Sequence, residues 1–301
     1  MKLIKPSFEI WEQSVGLEGV YKQIEKVGRV CYKSEDKITE DSAKPFVDRM
    51  IKSGHGAMLE HGTVYLQYEV VKGAINPLTK YYLNKYSKVK AKEGAIGETM
   101  RLFVTTNLRV LVENGWLDDL QYICEPTEYH ERRVTVHFVC DRGVSHEFVR
   151  HRVMSFAQES TRYCNYSKDK FGNELTFIIP CWLDIPTGHY SYWDSDWCDI
   201  DKMKIQLPEG EHKDIDAFLW TLNNAETHYT LLINSGWKPQ EARAVLPNSL
   251  KTELVVTGFT SDWNHFFDLR ARGTTGAPHP QAKELAEPLM KEFIARKYIN
   301  N

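Results

Sequence analysis

The arrangement of apolar and polar residues along the chain predicts a mixture of helices and strands. Residues 214–236 have the clearest helical period, and Gly236 follows as a stop signal. Helical periodicity also occurs in residues 17–32 and 40–54. The apolar stripe of the helix predicted over residues 214–236 comprises Ile215, Phe218, Leu219, Leu222, Tyr229, Leu232 and Ile233.

Five segments have the composition of β-strands. Residues 63–71 alternate between apolar and polar positions, and the other four are rich in β-branched and aromatic residues. Those four are residues 101–106, 132–140, 175–180 and 252–259. Because helices and strands do not alternate as regular βαβ units, the pattern predicts an α+β fold. Residues 81–98 and 181–204 fit neither pattern and are interpreted as surface elaborations.

Composition limits the classes of protein. A chain of 301 residues that is 42% hydrophobic is expected to be globular. Its 38 basic and 41 acidic residues nearly balance, so basic clusters need local explanations. The sequence has no apolar run near the ~18 residues of a membrane span and no signal-peptide pattern, which predicts a cytoplasmic protein. Six scattered cysteines without a C-x-x-C motif are expected to be reduced.

Three consecutive cationic side chains, from Arg150 to Arg152, need such an explanation. Gly143 and a possible N-cap at Ser145 predict a helix over residues 146–153. On that helix Arg150 and Arg152 would point to roughly opposite sides, with Arg150 on the face of Glu147. The simplest interpretation is a helix end whose cations complement the helix dipole.

The segment that follows favours a second interpretation. It brings three hydroxyl side chains, Ser155, Ser160 and Thr161, next to Arg162. Hydroxyls and a guanidinium beside a basic helix end are typical of a phosphate-binding site.

A second arginine lies where an apolar side chain would be expected. Trp263, Phe266, Phe267 and Arg270 have the i, i+3, i+4, i+7 spacing of one helical stripe, so Arg270 needs a partner. A snorkelling or ion-paired arginine is the structural alternative. Arg243, on a short predicted helix, raises the same question.

Taken together, these motifs resemble the flavin-dependent thymidylate synthases. Arg150-His151-Arg152 followed by seven residues and Ser160 resembles the family's R-H-R-x7-S signature, which Arg162 and Tyr163 extend. Segments resembling the family follow its order at residues 53–61, 241–270 and 278–289. The resemblance covers residues 17–68, 134–180 and 213–297.

The resemblance implies one domain over residues 1–301, built on a mostly antiparallel central sheet flanked by helices. It implies methylation of dUMP to dTMP, with methylenetetrahydrofolate as carbon donor, bound FAD as redox cofactor and NADPH as reductant. It also implies a homotetramer with shared active sites and no cysteine nucleophile. Residues 69–133 and 181–212 exceed the family's usual length and are expected to be insertions.

The resemblance also assigns site residues and implies no metal. Arg270 would be catalytic, because its guanidinium would stabilise negative charge as uracil N3 ionises. The expected dUMP contacts are Glu147, Arg150, Gln158, Glu159, Ser160, Arg162, Arg243 and Arg270. The expected FAD contacts are His55, Glu60, Arg150, His151, Arg152, Gln158, His265 and His279.

The sequence departs from the family at several of these places. Gln158 replaces a usual glutamate and Glu147 a common glutamine, which is interpreted as an exchange across the pocket. Ala157, Phe259, Ser261 and Ala57 replace the family's Asn, Asn, Arg and Thr, so part of the usual flavin hydrogen bonding is expected to be lost or supplied by backbone.

Two other functions compete with this interpretation. A metal hydrolase could use His55, Glu60 and His61, although their spacing is neither H-E-x-x-H nor H-x-x-E-H. A nucleic-acid-binding protein could use the same arginines, although the net charge of −3 argues against it. The sequence contains no G-x-G-x-x-G or Walker A motif.

Overall fold

A computed structural model describes residues 1–71, 79–93, 99–168, 171–193, 196–198 and 213–300. The α-helices of this part are α1 (Gly16–Tyr32), α2 (Ala43–Lys52), α3 (Gly56–Leu59), α4 (Thr79–Tyr82), α5 (Leu108–Asn114), α6 (Arg142–Phe148), α7 (Lys213–Asn234), α8 (Pro239–Ala242), α9 (Thr260–Phe267) and α10 (Pro280–Ala295). The strands are β1 (Lys2–Ile4), β2 (Ser7–Trp11), β3 (Thr63–Val71), β4 (Lys88–Glu93), β5 (Thr99–Asn107), β6 (Arg133–Asp141), β7 (Ser155–Gln158), β8 (Thr176–Ile178), β9 (Gly188–His189), β10 (Ser191–Trp193), β11 (Asp196–Cys198) and β12 (Lys251–Phe259). None of the described helices is both long and apolar enough to cross a bilayer.

The strands that carry the candidate site form a four-stranded antiparallel sheet in the order β2, β6, β12, β7. Strands β3, β5 and β4 form a second antiparallel sheet. In a third sheet β1 lies between β8, which is parallel to it, and β9, which is antiparallel. Strands β10 and β11 pair as a small antiparallel sheet. The predicted mixture of helices and mostly antiparallel strands is confirmed.

Strand β12 shows how the central sheet is covered on both faces. Successive side chains of a strand point to opposite faces, so Leu254 and Val256 face one side and Val255 faces the other. Leu254 and Val256 belong to a core cluster with Trp263 of α9. Val255 packs in a cluster with Val30 of α1. The sheet is therefore buried between α1 and the C-terminal helices.

The C-terminal side of this core holds α9 firmly in place. Trp263, Phe266 and Phe267 are almost fully buried. The indole Nε1 of Trp263 also donates a hydrogen bond to the Val134 carbonyl at 3.1 Å. Because these contacts fix α9, the residues that follow it, including Arg270, start from a rigid base.

One prediction near the site is wrong. Helix α6 spans Arg142–Phe148, not residues 146–153, and Asp141 caps it by accepting a hydrogen bond from the Val144 amide at 2.6 Å. The reason is that strand β6 ends at Asp141, so the helix begins directly after it and Asp141, not Ser145, takes the N-cap position. Arg150 and Arg152 therefore follow the helix, and the expected Arg150–Glu147 face is not formed.

The two unassigned segments contain regular structure. Within residues 81–98, strand β4 pairs with β5, and Tyr81 is fully buried. Within residues 181–204, the described part contributes β9, β10 and β11. Residues 94–98, 194–195 and 199–204 lie outside the described residues. Strand β4 is the edge strand of its sheet and is mostly exposed, which agrees with the interpretation of residues 81–98 as a surface elaboration, although the segment has regular structure.

Candidate active site

Strand β7 has a cationic turn at each end. The first turn, which contains Arg150, His151 and Arg152, precedes β7, and the second turn, residues 160–163, follows it. Hydrogen bonds from the His151 amide to the Phe148 carbonyl, at 3.2 Å, and from the Met154 amide to the His151 carbonyl, at 3.0 Å, fold the first turn tightly. This turn buries His151 and leaves Arg150 and Arg152 exposed.

Arg270 contacts both the first turn and the end of α6. It lies in a π-helical turn, Asp268–Arg272, that continues α9. One guanidinium nitrogen pairs with the Glu147 carboxylate, and another donates to the Glu147 carbonyl at 2.7 Å. The Nε of Arg270 lies 3.3 Å from Nε2 of His151. Glu147, at the end of α6, is therefore the partner that Arg270 needs.

His151 is held in its neutral form. Burial, the positive charge of Arg270 and the neighbouring His265 together lower the pKa of His151 to about 4. The two imidazole rings meet edge to face, with centroids 5.8 Å apart. Because a neutral imidazole has one acceptor nitrogen, His151 can accept the hydrogen bond that Arg270 Nε donates.

A cleft of about 390 Å³ opens beside Glu147. Its floor includes Asp141, whose carboxylate accepts a hydrogen bond from Gln281 at 2.6 Å. Its wall includes Trp182, which meets His279 edge to face at 6.0 Å between centroids. Glu147, which pairs with Arg270, is thus also one of the residues that line this cleft.

Two more arginines lie at the second turn: Arg162 belongs to it, and Arg243 contacts it from the segment that follows α8. Arg243 donates a hydrogen bond to the Thr161 hydroxyl at 3.2 Å, and Arg162 donates to the Gln240 side-chain oxygen at 3.3 Å. The Ser160 hydroxyl accepts from the Arg162 amide at 3.3 Å. Both guanidinium groups are exposed, and within the described residues their hydrogen-bond partners are neutral. Their charge is available to an anion.

Gln158 and Glu159, both expected at the nucleotide, differ in what they contact. The Gln158 amide donates to the Ser145 hydroxyl at 2.8 Å and to the Thr252 hydroxyl at 3.2 Å, and so ties α6 to β12. Glu159 is only 1% exposed. Its carboxylate accepts from Lys251 at 2.8 Å and from the Tyr166 hydroxyl at 2.9 Å. The described conformation therefore does not present Glu159 to a ligand.

Sequence reasoning missed the buried charge network that holds Glu159. Lys251 bridges Glu159 and Glu253, and Glu253 also binds Lys33 and His137. Burial alone would raise the pKa of Glu253, but the His137 hydrogen bond and the two lysines hold it below its ordinary value. A signal existed in the sequence, because Lys251 and Glu253 are charges two residues apart, on one face of an otherwise apolar strand.

The structure places His55, Glu60 and His61 in different surroundings. His55 is exposed, whereas the Glu60 carboxylate pairs with Arg109. His61 is fully buried, its Nδ1 lies 2.8 Å from the Thr257 hydroxyl, and burial, followed by the charge of Arg133, lowers its pKa to about 3. Across the residues that the structure describes, no three His, Cys, Asp or Glu side chains are grouped to hold a metal ion.

Two residues that differ from the family's usual ones, Ser261 and Phe259, make defined contacts. Ser261 donates a hydrogen bond to Glu131 at 2.5 Å. The buried ring of Phe259 is close to two cations, with Lys88 at 5.6 Å and Arg133 at 5.5 Å from its centroid. Lys88 belongs to the segment expected to be an insertion.

Comparison with protein families gives a match over most of these elements. The sequence model of the family described as "Thymidylate synthase complementing protein" matches residues 126–296. This range includes both turns, β12, α9 and Arg270.

Individual proteins are also similar to this chain. The flavin-dependent thymidylate synthase of Pyrococcus furiosus is 31% identical over 163 residues, which are 53% of this chain and 53% of that protein. That of Corynebacterium aurimucosum is 22% identical over 284 residues, 93% of this chain and 78% of that protein. The chain thus spans about half the length of the first curated relative. A solved UMP/dUMP methylase from Streptomyces cacaoi, bound with 5-Br dUMP, overlays with a TM-score of 0.43 at 17% identity, covering 98% of this chain and 93% of that one.

Proposed function

Because the chain belongs to the thymidylate synthase complementing protein family, we propose that it is a flavin-dependent thymidylate synthase that methylates dUMP to dTMP. The observation that best supports this proposal is the set of exposed arginines at the two ends of β7. Within the described residues, the side chains of Arg150, Arg152, Arg162 and Arg243 make no ion pair with a carboxylate. A nearly neutral protein that concentrates uncompensated guanidinium groups in one region is suited to phosphorylated ligands.

The donor set is compatible with a flavin dinucleotide. Its pyrophosphate is anionic, and the exposed side chains of Arg150, Arg152, His55, His265 and His279 offer cations or hydrogen-bond donors. These residues, with His151, Glu60 and Gln158, would hold FAD. The bound flavin would supply the reducing hydride, with NADPH as the source of electrons and methylenetetrahydrofolate as the source of carbon.

The nucleotide would use both turns. Ser160, Arg162 and Arg243 would bind the phosphate and ribose side of dUMP, and Arg150 would lie between dUMP and the flavin. Gln158, through its bonds to Ser145 and Thr252, keeps α6 aligned with the second turn.

Arg270 would act on the pyrimidine. Its guanidinium would stabilise negative charge on the uracil as N3 ionises, which makes C5 a better nucleophile. The neutral His151 supports this role, because a protonated imidazole 3.3 Å from Arg270 Nε would repel the guanidinium and offer no acceptor. Glu147, which pairs with Arg270 in this structure, would border the same pocket.

The exposed positions of these arginines also support a homotetramer with shared sites. A second subunit that covered the exposed side chains would enclose ligands that need both turns, the cleft and His55. Residues 69–133 and 181–212 would be additions to the family fold, and the proposed assembly would give their exposed aromatic residues an interface.

The test is an anaerobic assay with dUMP, methylenetetrahydrofolate, NADPH and saturating FAD. We expect dTMP to form, and we expect the purified protein to have a flavin absorbance spectrum that dUMP perturbs. A flavin-free protein that forms no dTMP under these conditions would refute the proposal. Binding of single-stranded DNA with a steep salt dependence would favour the nucleic-acid alternative instead.

A further inference from the structure

The buried lysine beneath the second turn has a defined task in the local geometry. Lys251 places its ammonium group between two carboxylates, those of Glu159 and Glu253. The Glu159 side chain is 1% exposed, and within the described residues Lys251 is the cation that pairs with it. A buried carboxylate is costly unless it is paired, so Lys251, together with the Tyr166 hydroxyl that also donates to this carboxylate, holds Glu159 in place.

Holding Glu159 fixes where the second turn begins. Ser160 follows it directly, and residues 160–163 belong to no helix or strand. The turn is tied down by its first amides: Glu159 donates to the Glu253 carbonyl at 2.8 Å and Ser160 to the Cys31 carbonyl at 3.0 Å. The charge network adds a side-chain tether to these backbone bonds.

The same network reaches the end of α1. Lys33, in the left-handed conformation with φ 46°, is the C-cap of α1 and pairs with Glu253. The neighbouring Tyr32 packs on Tyr163 with ring centroids 5.2 Å apart. Helix α1, strand β12 and the turn therefore meet at one group of opposite charges.

We propose that Lys251 and Glu159 are positioning residues, which set the Ser160–Arg162 turn where a nucleotide phosphate can be bound by Ser160, Arg162 and Arg243 together. The inference rests on the proposed function, because it assigns the phosphate end of dUMP to this turn. Neither residue touches the ligand. Their effect comes from geometry, since phosphate recognition needs several donors to converge at once.

The experiment compares Lys251→Met with a matched control, Arg29→Met, in the full-length protein. Arg29 also pairs with a buried carboxylate, at 2.7 Å, and the side-chain exposures of its pair, 11% and 2%, match the 15% and 1% of Lys251 and Glu159. Arg29 lies on the α2 side of α1, over the Phe46 ring. The double variant Lys251→Met/Glu159→Gln removes one charge of each sign, so it folds without an unpaired carboxylate at Glu159.

Two quantities are measured: dUMP affinity by calorimetry, and hydrogen exchange of the Ser160 amide without ligand. We expect Lys251→Met and the double variant to weaken dUMP binding by at least about tenfold, on the scale of a misplaced binding group. We also expect faster exchange at Ser160 in both, whereas Arg29→Met changes neither quantity by more than about twofold.

Several results would overturn the inference. Unchanged dUMP affinity in the folded Lys251 variants would do so, and so would full recovery of affinity in the double variant. An equal loss in Arg29→Met would show a general stability effect. A wild-type protein that does not bind dUMP would instead overturn the proposed function, and unchanged Ser160 exchange in the variants would then show independently that Lys251 does not position the turn.

Discussion

Replacing Arg270 by alanine tests whether this arginine takes part in catalysis or only stabilises the fold. If its guanidinium stabilises charge on the ionising uracil, its loss should slow dTMP formation by ~100-fold or more, the scale of removing one aligned charge-stabilising donor. Arg270→Lys should recover little of this rate, because an ammonium group cannot reproduce the planar fork that binds Glu147 and His151 at once.

The structure sets a small stability cost for the same change. The Arg270 side chain is 14% exposed, but that of Glu147 is 43% exposed, so water can solvate the carboxylate once the arginine is gone. The loss should therefore be near the ~1 kcal/mol of an exposed pair, not the ~3–5 kcal/mol of a broken buried pair. A loss of that size shifts the melting temperature by only a few degrees, roughly 2–4 °C.

An NMR titration tests whether Arg270 contributes to the low pKa of His151. Burial, Arg270 and His265 all lower the pKa of His151, to about 4. Removing Arg270 removes one of these causes, so the pKa of His151 should rise towards its ordinary value near 6.5. A titration of the His151 ring signals by NMR measures this directly, without any substrate.

The matched control is Arg272→Ala. Arg272 lies in the same π-helical turn and pairs with Asp268 at 2.9 Å, with side chains 32% and 42% exposed. It should lose as little stability as Arg270→Ala and keep the normal rate. Melting temperature and single-turnover rate are to be measured on the same preparation. A folded, flavin-loaded Arg270→Ala protein with a normal rate would remove Arg270 from the mechanism.

Three further outcomes are expected. Replacing any one of the six cysteines by serine should leave methyl transfer intact in folded protein, and loss of turnover in a single variant would indicate a covalent thiol mechanism. Below pH ~6.5 the unfolded chain takes up a proton at His151, whereas the folded chain does so only near pH 4. Acid should therefore lower the free energy of unfolding by up to ~3 kcal/mol as the pH falls from ~6.5 to about 4. In urea titrations at several pH values, His151→Asn should flatten this dependence of the free energy of unfolding on pH. Phe293→Ala, which empties a site against Trp263 and Phe267, should cost ~3–5 kcal/mol by urea denaturation, whereas a cost below about 1 kcal/mol would contradict the described packing.

Local patterns in the sequence predicted the elements that have local causes. Strand β3 was expected over residues 63–71 and spans Thr63–Val71, because alternation along a strand is a property of neighbouring residues. The helix expected over residues 214–236 spans Lys213–Asn234 for the same reason. The helix expected over residues 146–153 was misplaced, because strand β6 ends at Asp141, which caps the helix upstream of Ser145.

The contacts of the candidate site depend on residues that are distant in the sequence. Arg270 was recognised as a cation in need of a partner, but Glu147 is 123 positions away, and no local pattern links them. Glu159 was placed at the nucleotide because of its position within the motif, yet Lys251, 92 positions away, holds it in the interior. Family resemblance identifies which residues belong to the region, whereas the direction of each side chain follows from the packing of β7 against β12.

The π-helical turn that carries Arg270 makes the aim of this side chain depend on chain length. A π-turn is equivalent to an α-helix with one residue inserted, and successive helical residues differ by ~100° in direction. Deleting one residue between Phe267 and Arg270 would restore α-helical geometry and swing the guanidinium away from Glu147, while Trp263 upstream kept its contacts. Apart from Arg270 itself, the segment Asp268–Arg272 should therefore tolerate exchanges of side chain better than the loss of a single residue, because a deletion would redirect the arginine while the helix upstream stays in place.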